Sequence, residues 1–284
     1  MTCESKVQFL SVATMEDATG LANALLNCEG AGSFVVEWTG WVTVETTIHV
    51  ANGTTLEIVS SNSSDAAIDG DGAQQLFDVY NATLSISNVK LENGNGTYGG
   101  AIFGRYADVR CTGCRFFGNR ASEEGGAINV KDSDVSFTGE TYCLQNSAGS
   151  DGGFLSATES SVVVFEGTSI FQDNISDGRG GVIHSFEAEE IKFNGRSRFY
   201  NNAADHSGGA IWAQSTSLSF SREDSTVEFV NNSVATLFGG ALALAGKEPL
   251  TMNVSALFKN NSASTGGAVY LSGRATNSII SRTR

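Results

Sequence analysis

The stretch Phe199-Tyr-Asn-Asn-Ala-Ala-Asp-His-Ser-Gly-Gly-Ala-Ile211 decides the fold, because both of its ends return along the chain. A Gly-Gly pair recurs at Gly99, Gly125, Gly152, Gly180, Gly208, Gly239 and Gly266, with spacings of 26, 27, 28, 28, 31 and 27 residues. About six residues before most of these pairs stands an aromatic-x-x-Asn: Phe116/Asn119, Phe171/Asn174, Phe199/Asn202, Phe229/Asn232 and Phe258/Asn261, with Cys143/Asn146 in the one repeat without the Phe. Self-similarity at just under thirty residues is the mark of a solenoid and outranks any local motif.

Inside each repeat the apolar residues alternate with period two, the strand signature. One run follows the glycines (Ile128/Val130, Ile211/Ala213, Leu242/Leu244). A second lies ten or eleven residues after the first glycine (Val135/Phe137, Val163/Phe165, Ile191/Phe193), and a third ends at the Phe of Phe-x-x-Asn. Three strands per coil with no room for a helix predict an all-β parallel β-helix, a triangular coil repeated along an axis. The glycines suit a corner that needs positive φ. The Phe and Ile positions point inward and stack on their equivalents, and the Asn serves a left-handed turn or a side-chain ladder between coils.

The motifs Phe116-Phe-Gly-Asn119 with Gly125-Gly-Ala-Ile128, Phe199-Tyr-Asn-Asn202 with Gly208-Gly-Ala-Ile211, and Phe258-Lys-Asn-Asn261 with Gly266-Gly-Ala-Val269 resemble those of the polymorphic outer-membrane protein (Pmp) repeats, over about residues 88–273. The resemblance implies a right-handed β-helix of the pectin-lyase-like kind, displayed on a cell surface with adhesion as its usual role. It brings no catalytic residues and no cofactor.

Around the repeats, residues 1–34 read as an N-terminal cap, with a strand at Val7–Val12 and an amphipathic helix over Met15–Cys28 capped by Asp17 or Thr19. Residues 35–92 read as degenerate coils, 93–273 as the motif-bearing coils, and the column is expected to end at residue 284 without a cap. No secretion signal is visible at the start, and both termini look abrupt, as in a piece of a longer protein. A formal charge of −14 excludes nucleic acid and anionic lipid as natural partners. No apolar run approaches the roughly 20 residues of a membrane helix.

Five cysteines cannot all pair. Cys3 and Cys28 flank the cap and are the disulfide candidate. Cys111, Cys114 and Cys143 read as core filling in preference to a metal or redox site. Asn-x-Ser/Thr sequons at Asn52, Asn62, Asn81, Asn95, Asn174, Asn231, Asn253 and Asn260 exceed chance and make glycosylation of an extracellular chain an expectation.

Catalytic chemistry is thinly marked. The acids Asp132 and Asp134, in one coil with Lys131, then Glu159, and then Glu187, Glu189 and Glu190 form a loose stripe that no basic residue clearly joins, and His49, His184 and His206 read as occupying different registers. Asp69-Gly-Asp71-Gly reads as a turn. The sharper expectation is a column facing outward from the strand after the glycines: Phe103, Asn129, Ser156, His184, Trp212, Ala243 and Tyr270. Its aromatic members Phe103, His184, Trp212 and Tyr270, with Trp212 exposed, would stack on sugar rings or accept a partner's apolar anchors. If instead a segment of chain covers them, the column is structural. The reading is therefore a non-catalytic extracellular or cell-surface module for adhesion or recognition, its partner a cell-surface carbohydrate or protein receptor. The alternatives are a polysaccharide lyase or epimerase working through the acidic stripe, and a structural spacer. No metal site is implied.

Overall fold

The computed structural model describes residues 7–27, 31–61, 66–222, 225–273 and 279–280, and it is a parallel β-solenoid of about nine turns. Every named strand pairing is parallel and joins one coil to the next. In the regular part the pairings run Ile102↔Ile128↔Leu155↔Ile183↔Ile211↔Leu242↔Val269. That ladder belongs to a nine-stranded sheet made of the seven strands that follow the Gly-Gly pairs, continued by Phe77–Tyr80 and Ile48–Ala51 in the early coils. The second and third strands of each coil form one 18-stranded sheet, because Asp134–Leu144 and Val162–Gln172 run without a break through both.

The coil differs from a triangle of three strands in one respect. A fourth strand of two residues follows each Asn, at Arg120–Ala121, Ser147–Ala148, Ile175–Ser176, Ala203–Ala204 and Ser233–Val234. With Asn95–Gly96 of the preceding coil these pairs make a separate six-stranded sheet. Two residues give no period to read, so alternation could not reveal them.

The interior is built by identity between coils. Phe137, Phe165, Phe193 and Phe220 stack at 4.5, 4.7 and 4.7 Å between ring centroids, and Phe171, Phe199, Phe229 and Phe258 at 4.6, 4.6 and 5.0 Å. These spacings are those of neighbouring strands. Each fully buried Phe contributes about 1.5–3 kcal/mol of transfer free energy, so the two stacks dominate the core.

At the corner, Asn119, Asn146, Asn174, Asn202, Asn232 and Asn261 form a continuous ladder. Asn146 Nδ2 donates to Phe116 O at 3.2 Å and to Asn174 Oδ1 at 3.0 Å, while its own Oδ1 accepts from the Asn119 backbone N–H and Nδ2. The first five of these residues have no exposed surface. Burial without penalty is possible because each amide meets its donors and acceptors in the next coil.

At the start of the column the helix Met15–Leu26 packs against Val7–Val12, Trp41–Thr43 and Ile48–Ala51 through Ala18, Leu21, Ala22 and Leu25. Its N-cap is Thr14, with Asp17 at the third helical position completing a capping box. Asp17, one of the two N-cap candidates, thus belongs to the cap as its reciprocal partner, and Thr19 lies inside the helix. The early coils are also more finely divided than the sequence suggests: Trp41–Val50 splits into Trp41–Thr43 and Ile48–Ala51.

Cys111, Cys114 and Cys143 are buried free thiols. Burial pushes the Cys143 thiol well up; the Cys111 thiol is pushed up first by its hydrogen bond with Cys114 and then by burial. They behave as small apolar side chains. Cys3 and Cys28 lie outside the described residues, as does Asn62.

Candidate functional site: the outer face of the post-glycine sheet

The four aromatic residues singled out in the sequence do lie in one column, running Phe103↔Asn129↔Ser156↔His184↔Trp212↔Ala243↔Tyr270. The column extends back through Asp78 to His49. His49 and His184 therefore share a register, contrary to expectation. The degenerate coils lack the glycine pair from which the register is counted.

The column is not openly exposed. Trp212 keeps 7% of its surface and His184 4%. The cover is supplied by the turn that precedes each glycine pair. The first glycine has positive φ throughout, and a Cβ there would lie 2.0–2.5 Å from the carbonyl oxygen three residues on. Only glycine allows so tight a fold-back, and it lays the residue before the pair over the sheet. Tyr98 stacks on Phe103 at 5.7 Å, the Arg179 guanidinium lies 4.7 Å from the Trp212 ring centre, and Phe238 stacks on Tyr270 at 4.2 Å. The sequence reading missed this second column. Its signal was present, since these residues all stand immediately before a Gly-Gly.

Between Glu124 and Asp151 the same arrangement buries a polar chain. Ser156 Oγ lies 3.0 Å from Glu124 Oε2 and 3.1 Å from His184 Nδ1, and His184 Nε2 is 3.6 Å from Asp151 Oδ2. Burial pushes the Glu124 carboxyl up, and burial lowers His184 to about 4 against the opposing pull of Asp151. At neutral pH the imidazole is uncharged and stacks on Trp212 at 4.8 Å, 6° from parallel. Ser, His and Asp are the residue types of a nucleophilic triad, but Ser156 has no exposed surface and Glu124 competes for its proton. The chain can hold and pass a proton; it offers no accessible nucleophile.

Toward higher residue numbers the column opens. Ala243 lies between Trp212 and Tyr270, and the missing side-chain volume leaves a pocket of about 220 Å³. Leu237 and Phe238 lean over it, and Arg179, Ser207, Gln214 and Ser272 supply its polar groups.

A second concavity, about 620 Å³, lies at the next corner among Asn81, Tyr106, Asp108, Asp132 and Asp134. It contains the start of the acidic stripe. A basic residue does join that stripe: Lys131 Nζ is 2.5 Å from Glu159 Oε1. The bond to Glu159 raises the Lys131 ammonium and holds Glu159 low. Arg110 likewise pairs with Asp108 at 2.5 Å. A lysine acting as general base needs its pKa lowered toward the working pH, and Lys131 moves the other way. Asp69 reads as a turn residue: its carboxylate accepts from the Asp71 N–H, Asn93 Nδ2 and Trp41 Nε1.

Among the sequon residues, Asn52, Asn81, Asn95, Asn231, Asn253 and Asn260 are exposed. Asn174 corrects the expectation. It is a rung of the buried ladder, its Nδ2 donating to Cys143 O and Asn202 Oδ1, so the folded chain offers no amide for a sugar there. Among the described residues no helix is long and apolar enough to cross a membrane, and no group of His, Cys, Asp and Glu is arranged to hold a metal.

No curated protein and no solved structure matches the chain. A family model does: the Chlamydia polymorphic membrane protein repeat matches residues 113–131, 196–214 and 255–272. Each match runs from at or before the Phe-x-x-Asn through the glycine pair into the strand that carries Asn129, Trp212 or Tyr270. The chain thus carries three stretches that match the Chlamydia polymorphic membrane protein repeat, each folded into a coil of a parallel β-solenoid.

Proposed function

We propose that the chain is a non-catalytic recognition module of a surface-displayed protein, acting outside the cell through the outer face of its post-glycine sheet, with carbohydrate as the partner. The supporting observation is the pocket over Ala243, where Trp212, Phe238 and Tyr270 stand beside Ser207, Gln214 and Ser272 on a rigid ladder. Aromatic faces bind the apolar faces of sugar rings, and hydroxyl and amide groups at the rim meet sugar hydroxyls. The Pmp repeats support a surface location. The acidic corner carries the lyase reading less well, since both nearby cations are held in ion pairs.

The test is co-sedimentation of the purified chain with a panel of polysaccharides, with released products assayed in parallel. Binding without turnover, weakened by Tyr270→Ala, is the expected result. Turnover of any polymer would replace this reading with an enzymatic one. Binding of no polymer would leave a protein receptor or a spacer role.

A further inference from the structure

We propose that the pocket over Ala243 takes a single terminal sugar ring bearing a carboxylate, with Arg179 as the partner of the anion; the inference rests on the carbohydrate-recognition reading above. Its size sets the first limit. At about 220 Å³ the pocket is smaller than the roughly 300 Å³ at which clefts for drug-sized ligands begin, so it suits one ring and not a run of them.

The charge sets the second. In a chain of net charge −14, four arginines are neutralised by neighbouring carboxylates: Arg105 by Asp78, Arg110 by Asp108, and Arg196 and Arg198 by Glu228. Arg179 is exposed, forms no ion pair among the described residues, and lies at the pocket rim. Its guanidinium is placed by the Trp212 ring, 4.7 Å away. Held against a ring and not by a carboxylate, the guanidinium keeps N–H groups of the kind with which arginine grips a carboxylate in two parallel hydrogen bonds.

The neighbour beneath reinforces the arrangement. His184, uncharged at neutral pH, stacks on Trp212 and fixes the ring without adding a second positive charge. A ligand then meets one cation, the half-buried Phe238 and Tyr270 rings and a few hydroxyl and amide groups, with the buried Trp212 holding the cation in place. A neutral sugar would leave the cation unanswered, and a simple anion would leave the aromatic walls unused.

The experiment measures binding of three soluble probes: a glycan ending in a sialic acid, one ending in a glucuronic acid, and the first glycan with its acidic residue removed. All are titrated at low salt with a chelator present, against the unaltered chain and Arg179→Gln. We expect at least one acid-ended probe to bind about tenfold or more tighter than the neutral one. Arg179→Gln should abolish that difference while leaving the unfolding temperature unchanged. Which acid-ended probe binds identifies the source of the carboxylate. Equal affinity for acidic and neutral probes would overturn the inference and leave the carbohydrate reading in place. An acid preference that survives Arg179→Gln would overturn the role of Arg179. Binding of none of the probes, in a preparation that also fails on the polysaccharide panel, would remove both.

Discussion

Two columns run along the same solenoid at the same spacing and have opposite sequences. The corner ladder is Asn in six successive coils, Asn119 to Asn261. The outer column of the post-glycine sheet changes at every step, from Phe103 through Asn129, Ser156, His184, Trp212 and Ala243 to Tyr270. In the ladder each amide is both donor and acceptor to its own kind, so the geometry is satisfied only by repetition. On the outer face the contacts run sideways to the covering residues, Tyr98 on Phe103 and Phe238 on Tyr270, and any compatible pair will serve. Identity marks what the stack requires. Variation marks what it leaves available for recognition.

The comparison is tested most severely at Asn202. Its Oδ1 accepts from the Asn174 N–H and Nδ2, and its Nδ2 donates to Phe171 O and Asn232 Oδ1, all near 3.0 Å. Asn202→Ala strands the buried Asn174 N–H and Nδ2 donors that its Oδ1 accepts. At about 1–3 kcal/mol for each unsatisfied buried group, a loss of roughly 3–5 kcal/mol is expected in denaturant unfolding. Hydrogen exchange should show the opening centred on the coils of Asn174 and Asn232. A loss under about 1 kcal/mol would mean that the ladder is a by-product of stacking and not a cause of it.

The ladder and the glycine pairs were legible because each repeats one local rule coil after coil. Gly153 shows the rule: a Cβ there would sit 2.2 Å from Gly181 O in the next coil. The parts that were not legible depend on neighbours distant in sequence. Trp212 follows the strand rule and points outward, yet what covers it comes from Arg179, one coil earlier. Counting from the glycines gives the register within the regular repeats, whereas His49 joins the column through coils that have no glycine pair. Cys111 and Cys114 are placed inside by alternation, and Cys143 by standing in the slot of the repeated Phe; all three are buried.

A middle-sized effect is expected where the outer column is buried and ionisable. His184 titrates at about 4 in the folded chain, below the ordinary 6.5, because burial disfavours its charged form. The unfolded chain therefore takes up the proton first. Stability is fully present above about pH 6.5 and is lost as pH falls toward 4, by on the order of 3 kcal/mol. Glu124 works in the opposite sense: its raised pKa favours the folded state at low pH, and that contribution fades as pH rises through its folded value. Asp151 and Arg179 also face the imidazole, one favouring and one opposing its charge. His184→Gln should flatten the fall between pH 6.5 and 4, and Glu124→Gln should steepen it. An unchanged profile in His184→Gln would show that the imidazole is solvated in the folded state.

The smallest effect is expected at Phe103, in the first glycine-pair coil of the same column. Its ring stacks on Tyr98 and lies under the Arg105 guanidinium at 4.5 Å, but Arg105 is also held by Asp78 at 2.9 Å, and Tyr98 is itself exposed. Removing the ring by Phe103→Ser forfeits one aromatic pair and part of a surface cation contact, together about 1 kcal/mol. The strand hydrogen bonds to Asp78 and Asn129 are made by the backbone and survive the change. The ratio of this loss to that at Asn202 is the quantity of interest. If Phe103→Ser costs as much as Asn202→Ala, the outer column is as much a part of the stack as the ladder, and its variation from coil to coil would need another cause than freedom to bind.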